Sequence, residues 1–139
     1  MTITTTRFAG HEAIQVASGR VHLLVTTSVG PRVLGLMTED GENHMAELPG
    51  MTLECPGSGD FQLRGGSRLW AAPEDPRFTY RPDDDPVVVE EIVDGVKLTT
   101  RPDPVSETSR EIAIRVTVPE RFAFDYRVVN RAEHPQRLS

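Results

Sequence analysis

The sequence predicts an all-β protein folded as an antiparallel β-sandwich, and three observations predict it. Apolar and polar residues alternate along several segments, the pattern of a strand with one buried face, while no segment repeats apolar residues at helical spacing for three turns. Turn-forming pairs such as Asp40-Gly41 and Asp94-Gly95 separate those segments. The 139 residues, 37% of them hydrophobic, suffice for a single domain, 1–139, with its own core. Packing one sheet on another is the natural way for so many half-buried antiparallel strands to close.

Taken in chain order, Ala13 to Ala17 reads as a short strand. From Arg20 to Thr27, Val21, Leu23 and Val25 point to one side and His22 and Thr26 to the other, which makes the next strand half-buried. Val33 to Met37 is a strand that ends in the Asp40-Gly41 turn, and Pro49 to Asp60 reads as a breaker-rich loop. A weaker strand occupies Phe61 to Arg64. The stretch AAPEDPRFTYRPDDDP carries four prolines in sixteen residues and reads as a long loop, with Asp83-Asp84-Asp85 as a solvated turn. Val87 to Thr100 predicts a hairpin in which Asp94-Gly95 supplies the positive-φ positions. After a loop from Arg101 to Ser109 comes the clearest hairpin. Ile112, Ile114, Val116 and Val118 share one face, Pro119-Glu120 turns the chain, and Phe122, Phe124, Tyr126 and Val128 continue the apolar face; Arg115, Thr117, Asp125 and Arg127 point outward.

Charge and composition exclude several functions. Fifteen Lys and Arg against 21 Asp and Glu leave a formal net charge of −6. Nucleic acid is therefore not an expected partner, because neutralising phosphates needs clustered basic residues in excess. No run of about 18 apolar residues exists to span a membrane as a helix, and the opening MTITTTRFAG lacks the apolar centre of a signal peptide. A soluble, cytoplasmic protein without a membrane partner is expected. Cys55, the single cysteine, is expected to be a buried or idle thiol.

The densest chemistry lies in Gly65-Gly66-Ser67-Arg68-Leu69-Trp70-Ala71-Ala72-Pro73-Glu74. Two glycines permit positive φ or a close backbone approach. An indole plane can pack on the apolar face of a sugar ring while Arg and carboxylate bridge its hydroxyls, so Arg68, Trp70 and Glu74 are the candidate substrate-binding residues. The competing reading makes the glycines a bulge, Trp70 a core residue, and Arg68 and Glu74 a surface ion pair. Elsewhere the signals are weak. His11, His22, His44 and His134 are scattered, and His44 with Glu47 lacks a third ligand at metal spacing. The aspartate triplet lacks the pattern of a calcium loop, and Ser67 sits in no nucleophile elbow. No metal, cofactor or catalytic residue is assigned.

Three stretches carry a family resemblance: Val29 to Leu36 with Asp40-Gly41 behind it, Gly65 to Glu74 with its GG-x-RLW-x-APE pattern, and Tyr126 to Leu138 with Asn130-x-x-x-x-Pro135-x-x-Leu138. Together they resemble the galactose mutarotase-like (aldose 1-epimerase-like) superfamily. The resemblance implies an antiparallel β-sandwich that is part of a supersandwich with a sugar cleft on one sheet face, and a small-molecule carbohydrate as partner. It places Arg68 at a hydroxyl-binding arginine. In aldose 1-epimerases a histidine protonates the ring oxygen while a glutamate takes the anomeric proton. Both family positions lie beyond Ser139, and His134, inside the turn, matches neither. The expectation is therefore the N-terminal half of a mutarotase-like fold that binds carbohydrate without catalysis. The alternatives are part of an active aldose 1-epimerase-like isomerase, or a structural or partner-binding β-sandwich. Open sheet edges are expected to favour a homodimer.

Overall fold

The structure is a computed structural model, which describes residues 1–57, 59–72, 74–75 and 78–137. Its elements are all strands: β1 (Thr2–Phe8), β2 (His11–Ser18), β3 (Val21–Thr26), β4 (Val33–Met37), β5 (Glu47–Leu53), β6 (Phe61–Gly65), β7 (Val88–Ile92), β8 (Gly95–Thr99), β9 (Thr108–Val118) and β10 (Arg121–Asn130). They form a four-stranded sheet in the order β1-β2-β3-β4, a second in the order β10-β9-β8-β7, and a β5-β6 ribbon, with every pairing antiparallel. No helix among the described residues is long and apolar enough to cross a membrane.

The two larger sheets share one core. Ile14, Val16, Leu23, Val25 and Val33 from the first pack with Val96, Leu98, Ile112 and Ile114 from the second. Burying such a side chain contributes roughly 1.5–3 kcal/mol, which makes this layer the main driving force of the fold. Turns at one end are tied together: Glu120, at the β9–β10 turn, receives hydrogen bonds from the Arg20 backbone N–H (3.0 Å) and Nε (2.8 Å) at the β2–β3 turn.

Sequence and structure differ at several places, each for a physical reason. The predicted loop from Pro49 contains strand to Leu53, because β5 pairs with β6 across a register irregularity instead of alternating cleanly. β1 carries a threonine run with almost no apolar alternation; it is an edge strand whose Ile3 alone reaches the core. On β3, Leu24 and Thr26 are buried along with Leu23 and Val25, since β3 lies inside its sheet and the following turn folds over Thr26. In the β7–β8 hairpin Ile92 opposes Gly95, so the turn residues are Val93 and Asp94. Only Asp94 of the expected pair has positive φ (55°). Gly95 is needed for space instead, because a Cβ there would lie 1.9 Å from the carbonyl oxygen of Ile114. On β10, Phe124 and Tyr126 lie on the core-side face opposite Ile114 and Ile112 yet stay substantially exposed, because no strand among the described residues flanks β10 on its other side.

Candidate functional site

The site is assembled where the turn before β4, the strand β6 with the residues after it, and the proline-rich segment before β7 converge. Asp83 lies at its centre. Arg32 donates to it through Nε (2.7 Å to Oδ2) and Nη2 (3.2 Å to Oδ1), Arg64 donates through Nη1 (3.0 Å to Oδ1), and Arg68 Nη1 stands 3.7 Å from Oδ2. The Asp83 side chain is 6% exposed and that of Arg32 1%. The aspartate triplet is thus only in part the solvated turn expected from sequence. Asp84 and Asp85 face water, whereas Asp83 is withdrawn among three arginines.

Arg32 also bonds backbone. It donates to the carbonyls of Leu63, Gly65 and Gln62, the last at 3.0 Å, and the Asp83 carbonyl accepts from Gly30 N–H at 2.8 Å. One buried ion pair therefore fixes β6, the β3–β4 connection and the proline-rich segment relative to each other. Such charges persist out of water only when their donors and acceptors are used in this way.

Above this cluster stands an aromatic group. Phe61 is fully buried, and its ring centroid lies 5.7 Å from that of Trp70 and 5.6 Å from that of Tyr80; Trp70 and Tyr80 meet edge to face at 5.5 Å. The Arg68 guanidinium lies 4.5 Å from the Trp70 centroid and 4.6 Å from that of Phe61. Cation–π contacts of this kind strengthen when desolvated. Arg68 Nη2 donates to the Thr79 carbonyl at 3.3 Å, while Nη1 has no hydrogen-bond partner among the described residues. Burial weakens the hold of Arg68 on its proton, Asp83 opposes that effect, and Arg110, Arg32 and Arg64 add to it.

The three residues selected from sequence are therefore brought together in an unexpected arrangement. Trp70 keeps 43% of its surface exposed. Exposed Glu74 accepts a hydrogen bond from the Tyr80 hydroxyl, which raises the tyrosine pKa, and so stands beside the indole through a shared neighbour. Arg68 is buried below the ring and faces Asp83, so the surface pair between Arg68 and Glu74 does not form. Neither is Trp70 a core residue. The surrounding loop is held by Thr79, whose hydroxyl donates to Ala71 O (3.1 Å) and accepts from Asp75 N–H (2.9 Å). Pro73 of the motif lies outside the described residues, as does Leu138 of the C-terminal pattern.

The paired glycines serve backbone packing. Both have positive φ, 89° at Gly65 and 66° at Gly66, and a Cβ would approach Ala46 O to 2.1 Å or Val33 O to 2.2 Å. The close approach that glycine permits here is to the neighbouring chain, which brings Ser67 into a bridge with Val33 and so orients Arg68 and Trp70.

Two clefts flank the cluster. One of about 300 Å³ lies between the β1–β2 turn and the β5–β6 ribbon, where His11, Glu47, Gln62 and Arg64 meet Phe8 and Leu48. Burial, then Arg64 and Arg32, lower the His11 pKa, which favours its neutral imidazole. The other, about 240 Å³, brings Arg81, Arg101 and Arg110 together with Asp83, Asp85 and Asp103. Arg81 is paired with Asp103 at 2.8 Å. His22 contacts Gln15, His44 contacts Thr38, and the His134 carbonyl accepts from Asn130, whose side-chain oxygen also accepts from Ala132 N–H. Cys55 is buried.

Sequence reasoning missed Asp83, Arg32, Phe61 and Tyr80. A signal existed for Arg32, a lone charge in the apolar run from Val29 to Met37. For Asp83 no local signal exists, since its neighbours Asp84 and Asp85 are solvated. Comparison of the chain with family models, with curated proteins and with solved structures finds no match.

Proposed function

We propose that this protein binds carbohydrate, with Trp70 as the stacking platform and Glu74 as the adjoining hydroxyl acceptor. The observation that carries the reading is the state of Trp70. A large indole is 43% exposed, yet its ring is fixed by Phe61, Tyr80 and the guanidinium of Arg68. A rigid exposed aromatic next to a carboxylate suits a ring that has one apolar face and hydroxyls at its rim, because little ordering remains to oppose binding. Tyr80 orients Glu74 and presents a second polar atom beside it. Arg68 supports the platform from beneath as a positioning residue. The mutarotase-like resemblance of Gly65 to Glu74 supports the same class of ligand.

Affinity for a panel of mono- and disaccharides, measured by calorimetry on the wild type, Trp70→Ala and Glu74→Gln, tests this. Millimolar or tighter binding of at least one saccharide is expected, reduced at least tenfold by Trp70→Ala and severalfold by Glu74→Gln. Equal affinity in all three proteins, or no binding of any saccharide, overturns the reading. Polarimetry on the same samples separates binding from isomerisation: mutarotation at the buffer rate is expected, and acceleration would favour the epimerase alternative.

A further inference from the structure

We propose that β10 forms a symmetric antiparallel pair with β10 of a second copy of this chain, with Tyr126 opposite its own counterpart. Three features of β10 converge on this partner. Among the described residues the strand is the outer member of its sheet and pairs only with β9. Its core-side face exposes Phe124 (36%) and Tyr126 (39%), whose rings stack with centroids 6.3 Å apart. It also lacks the proline and lysine with which natural edge strands commonly block pairing.

Charge together with the length of strand paired selects the register, because centring on Ala123 or Val128 also avoids opposed like charges but engages only residues 121–125 or 126–130 of β10. A twofold axis between two antiparallel copies of one strand must pass between a residue and itself, so each choice of central residue fixes every opposed pair. Centring on Asp125 or Arg127 sets like charges directly against each other, and centring on Phe124 sets Arg121 against Arg127. Centring on Tyr126 places Asp125 opposite Arg127 and Arg127 opposite Asp125, Phe124 opposite Val128, and Ala123 opposite Val129, with pairing continued from Phe122 to Asn130. Asp125 and Arg127 share the outer face, and their side chains are 69% and 75% exposed although each already has an ion-pair partner on β9. Their contacts within the chain, Asp125 with Arg115 and Arg127 with Glu111, lie across β9 on the other side. Opposite charges directly facing each other across strands are favourable and like charges unfavourable. The pair joins two four-stranded sheets into one continuous sheet and covers the exposed aromatic rings.

The test uses sedimentation equilibrium on the wild-type chain, Asp125→Arg, Arg127→Asp and an equimolar mixture of the two variants, with circular dichroism and thermal melts to establish that each variant is folded. The wild type is expected to sediment at twice the monomer mass. Each variant alone opposes like charges and is expected to sediment as monomer. In the mixture the variant with two arginines meets the variant with two aspartates, and the doubled mass returns. A monomeric wild type overturns the proposal, as do variants that dimerise as the wild type does, because another surface is then responsible. Folded monomeric variants whose mixture stays monomeric overturn the register. Should either variant fail to fold, Phe124→Arg replaces it: a monomer is expected, and a persistent dimer overturns the proposal.

Discussion

Arg32 donates a 2.7 Å hydrogen bond from Nε to Asp83 Oδ2, although the two residues are separated by most of the proline-rich segment and three strands, and both side chains are almost wholly out of water. Removing the carboxylate leaves Arg32 buried without its counter-charge and takes from Arg68, short of one hydrogen bond among the described residues, the anion 3.7 Å from its Nη1. Asp83→Ala is therefore expected to destabilise the fold by about 3–5 kcal/mol. Asp84→Ala, one residue on and half-exposed, is expected to change stability by at most about 1 kcal/mol. Urea unfolding of the two variants checks this, and equal losses would remove Asp83 from its central place.

Gly66 holds a conformation and a distance at once. With φ at 66° and Val33 O 2.2 Å from an added Cβ, Gly66→Ala must both strain the backbone and push two segments apart. A loss of more than about 1–2 kcal/mol is expected from the backbone alone. Gly41→Ala, with similar φ but nothing near its Cβ, isolates the backbone part. Thermal melts of both should show the larger loss at Gly66; similar losses would mean that the neighbouring backbone yields easily.

Stability should also respond to pH through Asp103. Burial opposes its charge, but the N–H groups of Ser106 and Val105 (2.8 Å each) and the Arg81 guanidinium together hold its pKa below the ordinary value. A depressed carboxyl pKa stabilises the fold above the unfolded value of about 3.9, and that contribution fades as pH falls through the folded value. The stability gap between wild type and Asp103→Asn is accordingly expected to be constant from pH 7 to 5 and to shrink toward pH 3. A gap independent of pH would contradict the assignment.

Much of the strand framework was legible from local patterning. The β9–β10 hairpin announces itself by strict alternation around Pro119-Glu120, and β8 by the apolar pair Val96 and Leu98. What could not be read was set by tertiary neighbours. β1 is held by pairing with β2 and not by its own pattern, and Gly95 is dictated by the carbonyl of Ile114 on another strand. At the site, the run from Gly65 to Glu74 was legible as unusual, and it does contain the exposed indole. The orientation of Arg68 was not legible, because it depends on Asp83, whose burial arises only when the proline-rich segment folds onto β6. The sequence alone offers Arg68 a carboxylate at Glu74; the fold offers one nearer, and gives Glu74 to Tyr80.

Trp70 as a saccharide platform is directly observable, because it is the chain's single tryptophan. Its one indole N–H resonance, followed by heteronuclear NMR during titration with the saccharide panel, reports on that ring alone. A saturable shift of this resonance with at least one saccharide is expected, accompanied by shifts in Tyr80 and Glu74 and by little change in the core residues Val96 and Ile114. An indole resonance that stays fixed to the highest saccharide concentration would contradict the platform role.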